Sequence, residues 1–117
     1  MHHKVFASYR RLLFFTVLEA AKNVAITPTR PDGVSERAWN RWEKGESPIP
    51  DEVINNLKLL IDERQNQIKH ITERLNAGEK VELSIPSSSI DIVDYRLKQS
   101  VFAEAVALGA VPTETVK

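Results

Sequence analysis

The stretch SERAWNRWEKGESPIPDEV, residues 35–53, decides the reading of this chain. Ser35 is a residue of the helix N-cap type, and Gly45 tolerates the backbone conformation that closes a helix, so the spacing predicts a helix from Glu36 to about Lys44. Pro48 and Pro50 then forbid its continuation. On a helix of 3.6 residues per turn, Ala38, Trp39 and Trp42 share one face, and Arg37, Asn40, Arg41 and Lys44 share the other. The tryptophans are expected to look inward and the polar groups outward.

Upstream, Phe6, Tyr9, Leu12, Leu13 and Phe14 recur at helical spacing and predict a first helix over Val5–Phe15. Thr16-Val17-Leu18-Glu19 has the form of a capping box. It opens a second helix from Val17 to about Ile26, with Leu18, Ala21, Val24 and Ala25 on its inner face. Thr27 to Gly33, with Pro28, Pro31 and Gly33, is turn chemistry and reads as a loop.

Downstream, Pro50 fits the first position of a long helix reaching about Asn76 before Gly78. Its stripe, Ile54, Leu57, Ile61, Ile68, Ile71 and Leu75, keeps heptad spacing and is interrupted at Arg64. Such a stripe calls for a partner, either within the chain or in a second copy. Val81 to Ile85 alternates as a strand, Pro86 to Ser89 turns, and Ile90 to Val93 is expected to return as the second arm of a hairpin. From Asp94 to Gly109 the apolar residues Leu97, Val101, Ala105 and Leu108, with Phe102 and Val106 alongside, predict a last helix. The tail beyond Pro112 is expected to fray.

Composition sets the bounds. A length of 117 residues suits a single domain or slightly more, and the 42% hydrophobic share supports a folded core. With no cysteine, disulfides and thiolate metal sites are absent. The longest apolar run, Leu12 to Phe15, is too short to cross a bilayer, and Met1-His2-His3-Lys4 does not lead into a signal peptide, so a cytoplasmic protein without membrane contact is expected. Net charge is zero, but residues 1–45 hold eight basic and four acidic side chains, a net of +4 that leaves −4 for the remainder. The basic front suits an anionic partner.

Catalysis finds no support in the sequence. His2, His3 and His70 read as solvent-exposed, no metal-ligand set is evident, and no nucleophile elbow or phosphate-binding glycine loop is present. No enzyme and no cofactor are expected. Nucleic acid fits better, since a helix anchored from behind by Trp39 and Trp42 can present donors to the major groove. Arg37 and Arg41 can each fork to guanine, Asn40 can pair with adenine or hold a phosphate, and Glu36 can accept from cytosine. Ser35 and the amides around it can grip a phosphate, with Thr16, Lys44 and Arg30 as further phosphate candidates. A protein-binding adaptor or antitoxin-like module using the acidic C-terminal half is the alternative. The sequence does not separate duplex DNA from RNA as an additional ligand.

Thr16 to Ala21, Val34-Ser35, Trp39 and Trp42-Glu43-x-Gly45 resemble the Cro/C1-type, or XRE-type, helix-turn-helix of phage and bacterial repressors. The longer pattern S-x-R-x-W-x-x-W-E-x-G-x-x-x-I/V-P-D-x-V at 35–53, with Tyr95-Arg96-Leu97-x-Gln99-Ser100-Val101, resembles the YdiL-like family that includes the anti-CRISPR-associated repressors. The resemblance implies a homodimeric repressor on an inverted-repeat (palindromic) operator of double-stranded DNA, often in its own promoter. It also implies that Arg37 reads bases, with Asn40 and Arg41 beside it, and that Arg10 and Glu43 form a structural ion pair. Two departures stand out: residues 27–33 are inserted before the third helix, and the segment between Ile85 and Tyr95 is short.

The expected fold is mainly α. An N-terminal helix-turn-helix domain, residues 1–47, precedes a dimerisation region, residues 48–117, made of a long helix (50–76), a small β hairpin (80–93) and a C-terminal helix (94–109). Ile61, Ile68, Ile71, Leu97, Val101 and Phe102 are its expected dimerisation residues.

Overall fold

The computed structural model describes residues 1–114. Five helices and two short strands follow in the order α1 (His3–Leu12), α2 (Val17–Asn23), α3 (Glu36–Glu43), α4 (Asp51–Asn76), β1 (Glu82–Ser84), α5 (Ile92–Leu108) and β2 (Val111–Thr113). The chain divides into two compact units, and the division falls between Ile61 and Asp62, inside α4. The chain is thus mainly helical, with one small sheet and a helix near its C-terminus. No helix among the described residues is long and apolar enough to cross a membrane.

In the first unit each short helix has its own start signal. His2 accepts from the Lys4 amide ahead of α1. Thr16 and Glu19 form the complete capping box of α2. Ser35 accepts from the Ala38 amide at the start of α3. Helices this short are marginal alone, so their stability comes from the face they bury. That shared core includes Phe6, Leu13, Phe15, Val24, Trp39 and Leu57, all at most 3% exposed.

Two expectations for α2 change. The helix ends at Asn23 rather than near Ile26, because other groups take over its C-terminal carbonyls: the Val34 amide donates to Ala21, and Asn56 of α4 donates to both Val24 and Ile26. Leu18, expected inside, is 49% exposed. The buried stripe is Ala20, Ala21, Val24 and Ala25, and Leu18 lies about a quarter-turn from its centre.

In the second unit the expected hairpin is not formed. β1 pairs in parallel with β2, Glu82 opposite Val111 and Ser84 opposite Thr113. Asp91 instead caps α5, its carboxylate accepting from the Asp94 amide, so Ile92 and Val93 enter the first helical turn. Parallel strands need a long crossover, and α5 supplies it. Thr113, expected to fray, lies in β2 beside Val111 and Pro112; the part of that expected tail beyond Glu114 lies outside the described residues.

The core here is Ile68, Ile71, Val81, Val101, Ala105 and Ala110, with Leu75 and Leu83 packed against it. Leu108, expected on the inner stripe of α5, is 49% exposed at the helix end. Arg64, which breaks the apolar stripe of α4, is buried. Its Nε donates to Ser100 Oγ at 2.6 Å, and a terminal nitrogen pairs with Glu104 at 2.7 Å. A buried guanidinium without such partners would be strongly destabilising.

Candidate nucleic-acid interface

Helix α3 has two chemically distinct sides. On the inner side Trp39 is fully buried and Trp42 nearly so. Phe6 of α1 lies against both: its ring is 4.6 Å from that of Trp39 and meets Trp42 edge-on at 6.4 Å. The two indoles themselves meet edge-on at 5.7 Å. Such geometries add to plain area burial and leave little freedom for the helix to roll.

The C-terminal end of α3 is held by charge. Arg10 of α1 forks onto Glu43, Nε to Oε2 at 2.6 Å and the second nitrogen to Oε1 at 3.0 Å, and its third nitrogen donates to the Phe15 carbonyl at 3.0 Å. The Trp39 indole N–H donates to the same carboxylate. Burial acts to raise the pKa of Glu43, but the Arg10 and Trp39 hydrogen bonds, with the charges of Arg10 and Arg11, outweigh it and hold the carboxyl below its ordinary value. Arg10 is therefore committed to the fold. His3, expected to be solvent-exposed, is half-buried and donates through Nδ1 to the Glu43 carbonyl at 3.1 Å.

The N-terminal end is held by backbone. Gly33 has φ +80°, and a Cβ there would lie 2.3 Å from the Ala21 carbonyl oxygen, so only glycine fits. The next residue, Val34, is buried and bonds to that same oxygen at 2.9 Å. The inserted segment ahead of it closes on itself through two backbone bonds between Thr27 and Arg30. The insertion therefore leaves the approach to α3 fixed. Neither Gly33 nor His3 was singled out by the sequence as part of the site. Gly33 was legible only as a turn residue, and nothing local signals the contact of His3 with residue 43.

The outer side carries Glu36, Arg37, Asn40 and Arg41 on α3 and Lys44 at its C-cap, all exposed except half-buried Asn40. Among the described residues, the side chains of Arg37, Arg41 and Lys44 have no hydrogen-bond or ion-pair partner. Ser35 and Thr16 are exposed at the starts of α3 and α2, and Arg30 is exposed in the inserted loop. Each cap hydroxyl accepts from a backbone amide, which leaves its O–H free to donate. The expected dimerisation residues are placed differently. Ile61, Ile68, Ile71, Leu97 and Val101 are all buried within the chain, and only Phe102 is half-exposed.

Comparison with known proteins shows similarity over most of the chain. The Aca2 repressor of Pectobacterium phage ZF40 is 30% identical over 112 residues, covering 88% of this chain and 90% of its own. The uncharacterized protein YdiL of Escherichia coli K12 is 29% identical over 108 residues, covering 84% of this chain and 86% of its own. Residues 1–110 match the Aca2/YdiL-like family as a whole, and the chain belongs to that family.

Proposed function

We propose that the protein is a homodimeric transcriptional repressor that occupies an inverted repeat in duplex DNA. Residues 1–47 form a helix-turn-helix with α3 as its recognition helix, and residues 48–117 hold two copies together. The observation that carries this reading is the unspent donor face of α3 on a helix whose back is fixed by Trp39, Trp42 and Glu43. A helix needs that combination to place side chains on base edges in the major groove. The relative named as a repressor supports the direction of the effect.

Arg37 and Arg41 supply bidentate donors for guanine, Asn40 pairs with adenine, and Glu36 accepts from cytosine. Ser35 and Thr16, at the positive ends of two helices, with Lys44 and Arg30, take phosphates. Two recognition helices about 34 Å apart would match successive major grooves on one face of the duplex.

The test is a competition gel shift on fragments that include the promoter of the protein's own operon, at two salt concentrations. Arg37→Ala should lose about 1–3 kcal/mol at the selected fragment and little on random DNA. Lys44→Ala should weaken both and flatten the salt dependence. An Arg37→Ala protein that retains full selectivity would remove the base-reading assignment. A wild-type protein that selects no fragment at either salt would remove the reading altogether.

A further inference from the structure

The inserted 27–33 loop is fixed in shape without serving the core. None of its residues is buried, and Pro28, Thr29, Arg30, Pro31 and Asp32 are exposed. It is nonetheless held before, within and after. Asn56 of α4 donates to the Val24 and Ile26 carbonyls ahead of it, at 2.9 and 3.0 Å. Thr27 and Arg30 exchange two backbone bonds, the Gly33 amide donates to the Arg30 carbonyl at 3.1 Å, and the Val34 amide closes onto Ala21. Pro28 and Pro31 each lock one backbone angle more. Ordering a segment costs conformational entropy, and burial returns none of it here. An exposed loop built this firmly is preorganised for a contact outside the chain.

What the loop presents is positive charge beside the recognition helix. A Cβ at Gly33 would lie 2.9 Å from the Cα of Lys22, and Gly33 itself is bonded to Arg30. Lys22 of α2 and Arg30 of the loop therefore flank one residue, two positions ahead of the Ser35 cap of α3. Both side chains are exposed, and among the described residues neither has a hydrogen-bond or ion-pair partner. Asp32 is the one acid of the loop. We propose that this corner is a second grip on duplex DNA, in which Lys22 and Arg30 together hold backbone phosphates beside the segment that α3 reads and lengthen the footprint of each copy beyond its base contacts. This rests on the DNA reading above and extends it from a single phosphate at Arg30 to a built element that includes Lys22. The major groove is about 12 Å wide, so groups that flank the first turn of an inserted helix face its bordering phosphates rather than its base edges. Cations on a fixed frame release counterions there with little further ordering cost.

Because neither side chain has a polar partner within the chain, Lys22→Gln and Arg30→Gln should leave tryptophan fluorescence and the urea midpoint unchanged. In gel shifts on the selected fragment and on random duplex, each should weaken both without changing which fragment is preferred. Each should also flatten the slope of log K against log salt by about 1.8, two contacts per dimer at about 0.9 each. The affinity lost between about 50 and about 200 mM salt then shrinks by roughly tenfold. Arg30→Lys, which keeps the charge, should retain most of the slope, and Asp32→Asn should tighten binding to both duplexes. Phosphate-ethylation interference should show backbone positions that Arg30→Gln loses and Arg37→Ala keeps.

If the wild-type protein selects a fragment while Lys22→Gln and Arg30→Gln keep its salt slope and its interference pattern, the second grip falls and recognition by α3 stands. If the wild-type protein selects no fragment, both fall.

Discussion

Glu43 offers the sharpest test of how the recognition helix is held. Its carboxylate accepts two bonds from Arg10 and one from the Trp39 indole, and the side chains of Arg10 and Glu43 are only 15% and 12% exposed. Glu43→Ala leaves a mostly buried guanidinium and a buried indole N–H without their acceptor. Breaking a buried pair by removing one partner costs about 3–5 kcal/mol, and the lower end applies because Arg10 keeps the Phe15 carbonyl. With a urea m-value of about 2 kcal/mol/M for a small protein, a loss of about 3 kcal/mol moves the unfolding midpoint down by about 1.5 M. Trp39 and Trp42 are the chain's two tryptophans and both lie in the first unit, so their fluorescence reports that unit alone. Glu43→Gln, which keeps a neutral acceptor but loses the charge, should cost about half as much. In the cycle with Arg10→Met and Glu43→Met, the double variant should be at least about 1 kcal/mol more stable than the sum of the single losses predicts. A Glu43→Ala midpoint within about 0.25 M of wild type, or an additive cycle, would refute the argument that this pair anchors the helix.

Acid should weaken the same anchor. The folded-state pKa of Glu43 lies below its ordinary value of 4.5, so its contribution is complete above that value and is lost as pH falls through the lowered folded one. Urea midpoints followed by tryptophan fluorescence should therefore fall less steeply below pH 4.5 in Glu43→Gln than in wild type, and parallel curves would contradict this. At the other end of α3, Gly33→Ala forces a Cβ to within 2.3 Å of the Ala21 carbonyl oxygen at φ +80°. It should cost at least about 2 kcal/mol in the same assay, and a neutral effect would mean that the Gly33 contact does not fix the helix.

Local signals were legible in the sequence, and long-range ones were not. The Thr16/Glu19 box, the Ser35 cap and the opposition of Trp39 and Trp42 to Arg37 and Arg41 each depend on residues at most five apart, and each is present as read. The failed hairpin shows the limit. Ile90 to Val93 alternates over too few residues to separate a strand from a first helical turn, although the Asp91 cap three residues before Asp94 was there to be read. The true partner strand, Val111–Thr113, is three residues long, contains a proline and has no alternation to reveal it. Arg64 was visible as a gap in the stripe, but Ser100 and Glu104 lie 36 and 40 residues away, and no pattern in α4 points to them. The Arg10–Glu43 pair, 33 residues apart, came only through family resemblance.

The same distinction explains how an eight-residue helix can serve for recognition. Helix α3 is too short to hold its shape in water, and its outer residues contribute almost nothing to its own packing. Its orientation must come from elsewhere, and it comes from two independent clamps: Gly33 and Val34 on the Ala21 carbonyl of α2 at one end, and Glu43 with Arg10 and His3 of α1 at the other. Two points fix a direction, and the Trp39 and Trp42 indoles against Phe6 fix the roll about it. Arg37 and Arg41 are then free to be chosen for what they bind, since none of the three constraints uses them. That separation also accommodates the inserted 27–33 loop, because the loop closes on itself before Gly33 and passes no freedom to the helix that follows.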